Sequence, residues 1–254
     1  MLYTATMYKQ PQIYYLTQEK LQDKIYFKEV ICTDMENSYY WSDDWSCEFY
    51  IELAQAGFIS TTFDTKGGLV LLPELQFDYA ILDFKDLHIS KNVKKLLKKD
   101  AFNFSIDSRF NEVLENISTQ HKYNWLKEEY LVILKNLHAT NHKKNNFKII
   151  SVEVVCKDTD ELISGEVGYI IGTTYTSLSG FSLKDKKYNN YGTLQLVLLA
   201  NYLKKNKFSF WNLGDSHMEY KQKLGCKIHG RSEFLKRWNE DSNHLPLLDI
   251  LTSD

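Results

Sequence analysis

Proline is scarce in this chain, with three in 254 residues. No proline-rich linker therefore marks a join between domains. Cysteine is sparse too. Cys32, Cys47, Cys156 and Cys226 are scattered, with no CxxC pair and no Cys/His cluster at zinc spacing, which argues against a disulfide scaffold or a zinc module. His138 and His142 stand four apart, but no HExxH surrounds them, and no metal is expected. No apolar run is long enough to cross a bilayer. The stretch MLYTATMYKQPQIYY lacks a basic-then-apolar leader pattern. A soluble, cytoplasmic protein with no membrane partner is the expectation. Internal repeats are absent, and nearly all positive charge is lysine. The net charge of −2 argues against a molecule that binds polyanions over its whole surface.

What is present is ordinary bulk with uneven detail. Hydrophobic residues make up 43% and charged residues 25%, as in soluble globular domains. The length permits one large domain or two small ones. IYYL and KIYFKEVIC, within residues 13–32, read as strand-like runs. Ser42 or Ser46 could cap a helix through Glu48–Ala56, with Gly57 ending it. DTKGG at 64–68 reads as a hairpin turn, and DYAILDF as a further strand. RFNEVLENI and YNWLKEEYLVILKNLHATN read as helices. From residue 147 the pattern becomes a three-stranded meander with turns near Asp158–Asp160 and Gly172–Thr173. GTLQLVLLANYLKK is an apolar helix. FSFWNLGDSHMEYKQKLG is a strand and a short helix, and CKIHGRSEFLKRW a final strand. The order β-β-β-α-β-α-β matches the mixed sheet of the N-acetyltransferase type. The fold class expected is thus α+β, with a small N-terminal α/β domain over 1–80 and a GNAT-like mixed-sheet domain over 81–254.

LHISKNVKKLLKKDAF, residues 87–102, is amphipathic. Ile89, Val93, Leu96 and Leu97 share one face, and Lys91, Lys94, Lys95, Lys98 and Lys99 occupy the other. Three lysine pairs stand at i,i+4 with no acid between them, each costing ~0.2–0.5 kcal/mol. A solvated face is one reading of this stripe. A phosphate backbone, bound through counterion release, is the other.

These segments resemble the leucyl/phenylalanyl-tRNA–protein transferase family. LHISKNVKKLLKKDAFNFSID, YNWLKEEYLVILKNLH, SVEVVCKDTDELISGEVGYIIGTTYTSLSGFS and LGCKIHGRSEFL are similar to family segments in the same order, over most of residues 42–238. The resemblance implies transfer of Leu, Phe or Met from an aminoacyl-tRNA to the N-terminal α-amine of an acceptor protein beginning with Lys or Arg, which marks it for N-degron proteolysis. It implies no cofactor beyond the aminoacyl-tRNA donor. It places tRNA contact at Lys91, Lys94, Lys95, Lys98 and Lys99, and Trp125 near the terminal adenosine. Tyr175, Leu198, Tyr202 and Trp211 fall at substrate-pocket positions. Leu178 stands where the family has Glu, Asn212 where it has Asp, Gly214 or Asp215 where it has Gln, and Glu166 where the pocket is apolar.

The chemistry demands little, because an aminoacyl ester is already activated. An α-amine of pKa about 7.7–8.0 is partly neutral at pH 7. Orientation and a nearby proton acceptor then supply most of the catalysis. Asp215 and Glu166 are the candidate carboxylates, with Asn212 as a donor to ester or ribose. Period 2 puts Glu166, Gly168 and Ile170 on one strand face. Trp125, Tyr175 and Trp211 could stack on a base or belong to the core. Ser177 and Ser179 could bond ribose or carbonyl, or be strand serines without a role. Gly214 would allow close backbone approach. Two alternatives remain: a protein that binds tRNA or N-terminal peptides without transfer, and an acetyl-CoA-dependent N-acetyltransferase. The loop KDKKYNNYGTLQ offers only Gly192 for a pyrophosphate cradle.

Overall fold

The computed structural model describes residues 13–120, 125–140 and 146–244. Its centre is a seven-stranded mixed sheet. The meander supplies β7 (Phe147–Cys156), β8 (Leu162–Ile171) and β9 (Thr174–Ser182), extended on one side by β6 (Phe102–Ile106). On the other side lie β10 (Phe210–Asp215), β5 (Asp78–Leu82) and β11 (Lys227–Gly230). The spatial order is β11-β5-β10-β9-β8-β7-β6. β9 and β10 run parallel, and the other neighbours are antiparallel. A parallel step needs a crossover, supplied by α7 (Tyr191–Lys205).

Alternate residues of β8 feed two cores. Val167, Tyr169 and Ile171 face one with Phe147, Phe210 and Trp238. Ile170 faces the other, with Tyr175, Trp211 and the apolar side of α7. The second layer also holds α4 (Lys91–Lys99) and α8 (Glu219–Leu224). The first is covered by α3 (Cys47–Gln55), α5 (Phe110–Gln120), α6 (Glu128–Ala139) and α9 (Arg231–Ser242). The result is the expected α+β class, built on a mixed sheet. β5 spans the boundary expected at residue 80, and Leu16, Phe49 and Leu71 share a core with Phe147 and Trp238.

Local chemistry explains the ends of these elements. Ser46 caps α3 by accepting from the Phe49 N–H, and Gly57 follows the helix at φ 91°. Ser90 caps α4 through the Val93 N–H. The DTKGG turn joins β3 (Ile59–Thr65) to β4 (Gly68–Glu74).

Three expectations are corrected. IYYL shrinks to β1 (Tyr14–Tyr15), which pairs with β2 (Tyr40–Trp41), before α1 (Gln18–Gln22). KIYFKEVIC is helical, as α2 (Lys24–Tyr26) running into a wider π-type turn over Phe27–Ile31. The Asp23 carboxylate accepts from the Ile25 and Tyr26 N–H groups, which starts a helix despite β-prone residues. The final strand stops at Gly230, because Arg231, Phe234, Leu235 and Trp238 recur at helical spacing and are all buried. β6 was not anticipated.

Candidate active site where two parallel strands part

β9 and β10 pair at Phe210↔Thr174, Trp211↔Tyr175 and Asn212↔Thr176, and no further. Both strands continue, to Ser182 and Asp215. β9 is irregular beyond this point, its register with β8 shifting between Val167 and Gly168 so that Leu178 is unpaired. β10 shifts against β5 between Asn212 and Asp215, with Gly214 at φ 71°. A wedge therefore opens beyond the carboxyl ends of the paired segments, where open sheets of this kind take ligands.

Glu166 lies beside this wedge, 3% exposed. Its Oε1 accepts from the Tyr175 hydroxyl at 2.9 Å and from Ser177 Oγ at 2.8 Å. Its Oε2 accepts from Gln195 Nε2 of α7 at 2.8 Å. Trp211 Nε1 donates to Ser177 Oγ at 2.8 Å, so a continuous chain runs Trp211–Ser177–Glu166. Two glycines make room. A Cβ on Gly168 would overlap the Tyr175 hydroxyl, and Gly180 faces Glu166 across the strands. Burial lifts the Glu166 carboxyl above its usual range, against the pull of Gln195, Ser177 and Tyr175. The same burial, with the neighbouring Glu166 charge, pushes the Tyr175 hydroxyl well up. Tyr175 therefore donates and never competes for the proton.

Asp215 stands at the exposed mouth. Its Oδ1 accepts from the His217 N–H and meets His217 Nδ1, both at 2.9 Å. Burial would raise this carboxyl, but the His217 bonds and Lys221 outweigh it and hold it below the usual range. Lys221 of α8 is 4% exposed, and its Nζ donates to the Asp215 carbonyl at 2.6 Å. Burial lowers its ammonium pKa, while Asp215, Cys226 and Glu166 oppose that shift. The two candidate carboxylates are thus driven apart, the pattern that separates a proton acceptor from a fixed charge.

Not every expected residue converges here. Asn212 is buried among the strands, its Oδ1 accepting from the Gly214 N–H at 2.9 Å and its Nδ2 reaching Thr176 Oγ1 at 3.5 Å. Alternation puts it on the face of Phe210, opposite Trp211 and Glu166. Leu178 and Trp125 pack against that same opposite core. The Trp125 ring meets Tyr130 edge-on at 5.1 Å. Ser179 pairs with Val167 and is partly exposed. Leu198 and Tyr202 share the helix face of Gln195, on the Glu166 side of the sheet. Both are partly buried, and Tyr202 meets Phe104 of β6 at 6.1 Å. Ile106, Val152 and Glu166 are in register across β6, β7 and β8, so this apolar margin adjoins the carboxylate. Sequence reasoning misses Gln195, a lone polar residue in an apolar helix, and Lys221, one of several polar residues on a short helix.

On α4, Val93 is buried, Leu96 and Leu97 are half-buried, and Lys91, Lys94, Lys95, Lys98 and Lys99 are all exposed. None of the five has an ion-pair partner among the described residues. His138 bridges to Asp107 and stacks on Phe110 at 3.7 Å, a packing role; His142 lies outside the described residues. Among the described residues no group of three His, Cys, Asp or Glu could hold a metal, and no helix is long and apolar enough to cross a membrane.

The family model for leucyl/phenylalanyl-tRNA protein transferase matches residues 81–239, from β5 through α4 and the wedge into α9. The chain belongs to that family. The transferase of Flavobacterium psychrophilum is 29% identical over 61% of this chain and 70% of its own length. That of Flavobacterium johnsoniae is 29% identical over 61% and 69%, and that of Tolumonas auensis 26% identical over 62% and 63%. The leucyl/phenylalanyl-tRNA protein transferases are aminoacyltransferases. Among solved structures, FemX superimposes with TM-score 0.45 at 10% identity, over 80% of this chain and 72% of that one. The C-terminal domain of a putative lysylphosphatidylglycerol synthetase from Agrobacterium fabrum gives 0.43 at 11%, over 75% and 66%.

Proposed function

We propose that this chain is a cytoplasmic aminoacyltransferase that moves an apolar amino acid of the Leu, Phe or Met type from tRNA to the N-terminal α-amine of an acceptor protein, probing Lys or Arg at that terminus, for N-degron proteolysis. The observation that carries this reading is the Trp211–Ser177–Glu166 chain at the wedge. Ser177 Oγ is its half-exposed middle link, between the buried Trp211 and Glu166. The neutral amine attacks the ester carbonyl carbon, a C–N bond forms, and the ester C–O bond breaks. The excess proton on nitrogen passes through Ser177 to Glu166, whose raised pKa suits a proton acceptor. Glu166 then returns that proton through Ser177 to the departing ribose oxygen. Asp215 stays ionised at the mouth and attracts the incoming ammonium. Leu198, Tyr202 and Phe104 offer an apolar margin for the donor side chain, and the exposed lysines of α4 face the tRNA backbone.

The deciding experiment presents total charged tRNA carrying radiolabelled amino acids with peptides of varied N-terminus. Transfer of an apolar residue supports the reading. No transfer from any charged tRNA, alongside intact tRNA binding, replaces it with a non-catalytic binder, which Leu178 and the internally engaged Asn212 favour. Changing Lys94 and Lys98 to Gln is expected to flatten the salt dependence of tRNA affinity by ~0.7–0.9 in log–log slope per lost contact.

A further inference from the structure

A second acidic position adjoins the wedge, and none of the site just described makes use of it. Tyr39 bridges to Glu74 at the end of β4, and Glu74 pairs with Ile59 of β3. Residues directly opposite one another project on the same face, so Tyr39, Glu74 and Ile59 form one row. The Ile59 end of that row rests on Gly214, where a Cβ would lie 3.1 Å from Ile59 Cδ1. Glu74 is thus next to the mouth at Gly214 and Asp215.

Among the described residues, the hydrogen-bond partners of Glu74 are neutral. Ser38 Oγ donates to its Oε1 at 3.3 Å and Gln76 Nε2 donates to its Oε2 at 3.2 Å, with the Tyr39 hydroxyl close enough to favour its ionised form. No lysine, arginine or histidine pairs with it among the described residues. Arg231, behind the same strand, is engaged by five backbone carbonyls instead. Burial and the Asp215 charge raise the Glu74 pKa against its neutral donors. Gln76 supplies the independent sign. It is 8% exposed, and its Oε1 has no hydrogen-bond partner among the described residues. Its amide orientation is fixed, since only Nε2 can donate to the Glu74 carboxylate. A buried acceptor without a donor costs ~1–3 kcal/mol. Carboxylate and amide oxygen therefore both lack a cationic donor at one place, where Glu74 is partly exposed beside the Tyr39 ring, itself 41% exposed.

We infer that Glu74, Gln76 and Tyr39 form a subsite for a cationic group, an ammonium or guanidinium, carried by the side chain of the acceptor's first residue. The inference rests on the transfer reading above and adds the residues that select the acceptor. The test uses two peptides that differ only in Arg or citrulline at position one, a charged and a neutral side chain of nearly equal shape. Wild-type protein is expected to favour the Arg peptide, and Glu74→Gln to cut that ratio about tenfold or more, in keeping with a lost charge-assisted hydrogen bond. Tyr39→Phe, at an exposed ring, is expected to cut it less. A second arm measures argininamide against citrullinamide binding by calorimetry, without tRNA. Loss of the argininamide preference in Glu74→Gln upholds the subsite even if no acceptor is ever aminoacylated, in which case the transfer reading alone falls. Absence of a charge preference in wild-type protein, or an unchanged preference in both variants, overturns the subsite while transfer stands.

Discussion

Arg231 and Glu166 are two buried charges in one molecule, 2% and 3% exposed, and they are satisfied in opposite ways. Arg231, the first residue of α9, donates to the carbonyls of Ile31, Asp34, Asn37, Leu75 and Gln76. Its face also lies over the Phe77 ring at 4.7 Å. Those acceptors belong to the backbone and cannot turn away. Glu166 is held by two hydroxyls and an amide, side chains that rotate, and the hydroxyls can pass a proton on. One of them, Ser177, reaches the open wedge. A charge locked by main-chain dipoles serves architecture. A charge held by movable side chains at a gap between strands is equipped for chemistry.

That contrast can be broken experimentally. Arg231→Leu strands five carbonyls and is expected to cost ~3–5 kcal/mol, read from urea unfolding. Arg231→Lys should recover only part, because an ammonium lacks the planar fork. Glu166→Gln should do the reverse. It keeps the shape, leaves stability within ~1.5 kcal/mol, and lowers transfer by ~10²–10⁴. Equal destabilisation by the two changes would erase the distinction.

A pH series sharpens the comparison further. The folded pKa of Glu166 is raised, so its contribution to stability is full below the ordinary carboxyl value of ~4.3 and is lost as pH rises through the folded value. Glu166→Gln should therefore gain on wild type as the pH of the unfolding experiment increases. Asp215 runs the other way, since its pKa is lowered and its contribution is lost on acidification through the folded value. The smallest expected effect on stability is that of Ser177→Ala. It removes one donor to Glu166 and the acceptor of Trp211 Nε1, for ~1 kcal/mol of stability.

The fold was legible wherever chemistry is local. The 64–68 turn, the meander turns, the Ser46 cap and the apolar period of α7 all read directly from neighbouring residues. Alternation puts Glu166 on the face of Gly168 and Ile170 as a half-buried group; its near-complete burial comes from α7, whose Gln195 closes over it. The same alternation, applied along Trp211 and Asn212, would have separated those two across the sheet. KIYFKEVIC is β-prone in composition, yet the Asp23 cap outweighs that propensity and makes it helical. Arg231 could not be read at all, since its acceptors lie up to 200 residues earlier in the chain. Glu74 and Gln195 were hidden likewise, their meaning resting on partners brought up by the hairpin and by the crossover helix.

The reach of Arg231 also bears on when the molecule can form. A ribosome makes the Ile31–Asn37 loop early and the side chain that fixes it some 194 to 200 residues later. Contacts so distant in sequence delay folding, since loop closure must precede any gain from them. During synthesis the early loop waits, its carbonyls bonded to water, until α9 emerges. A ribosome stalled before residue 231 would hold an unfinished N-terminal segment open to proteases.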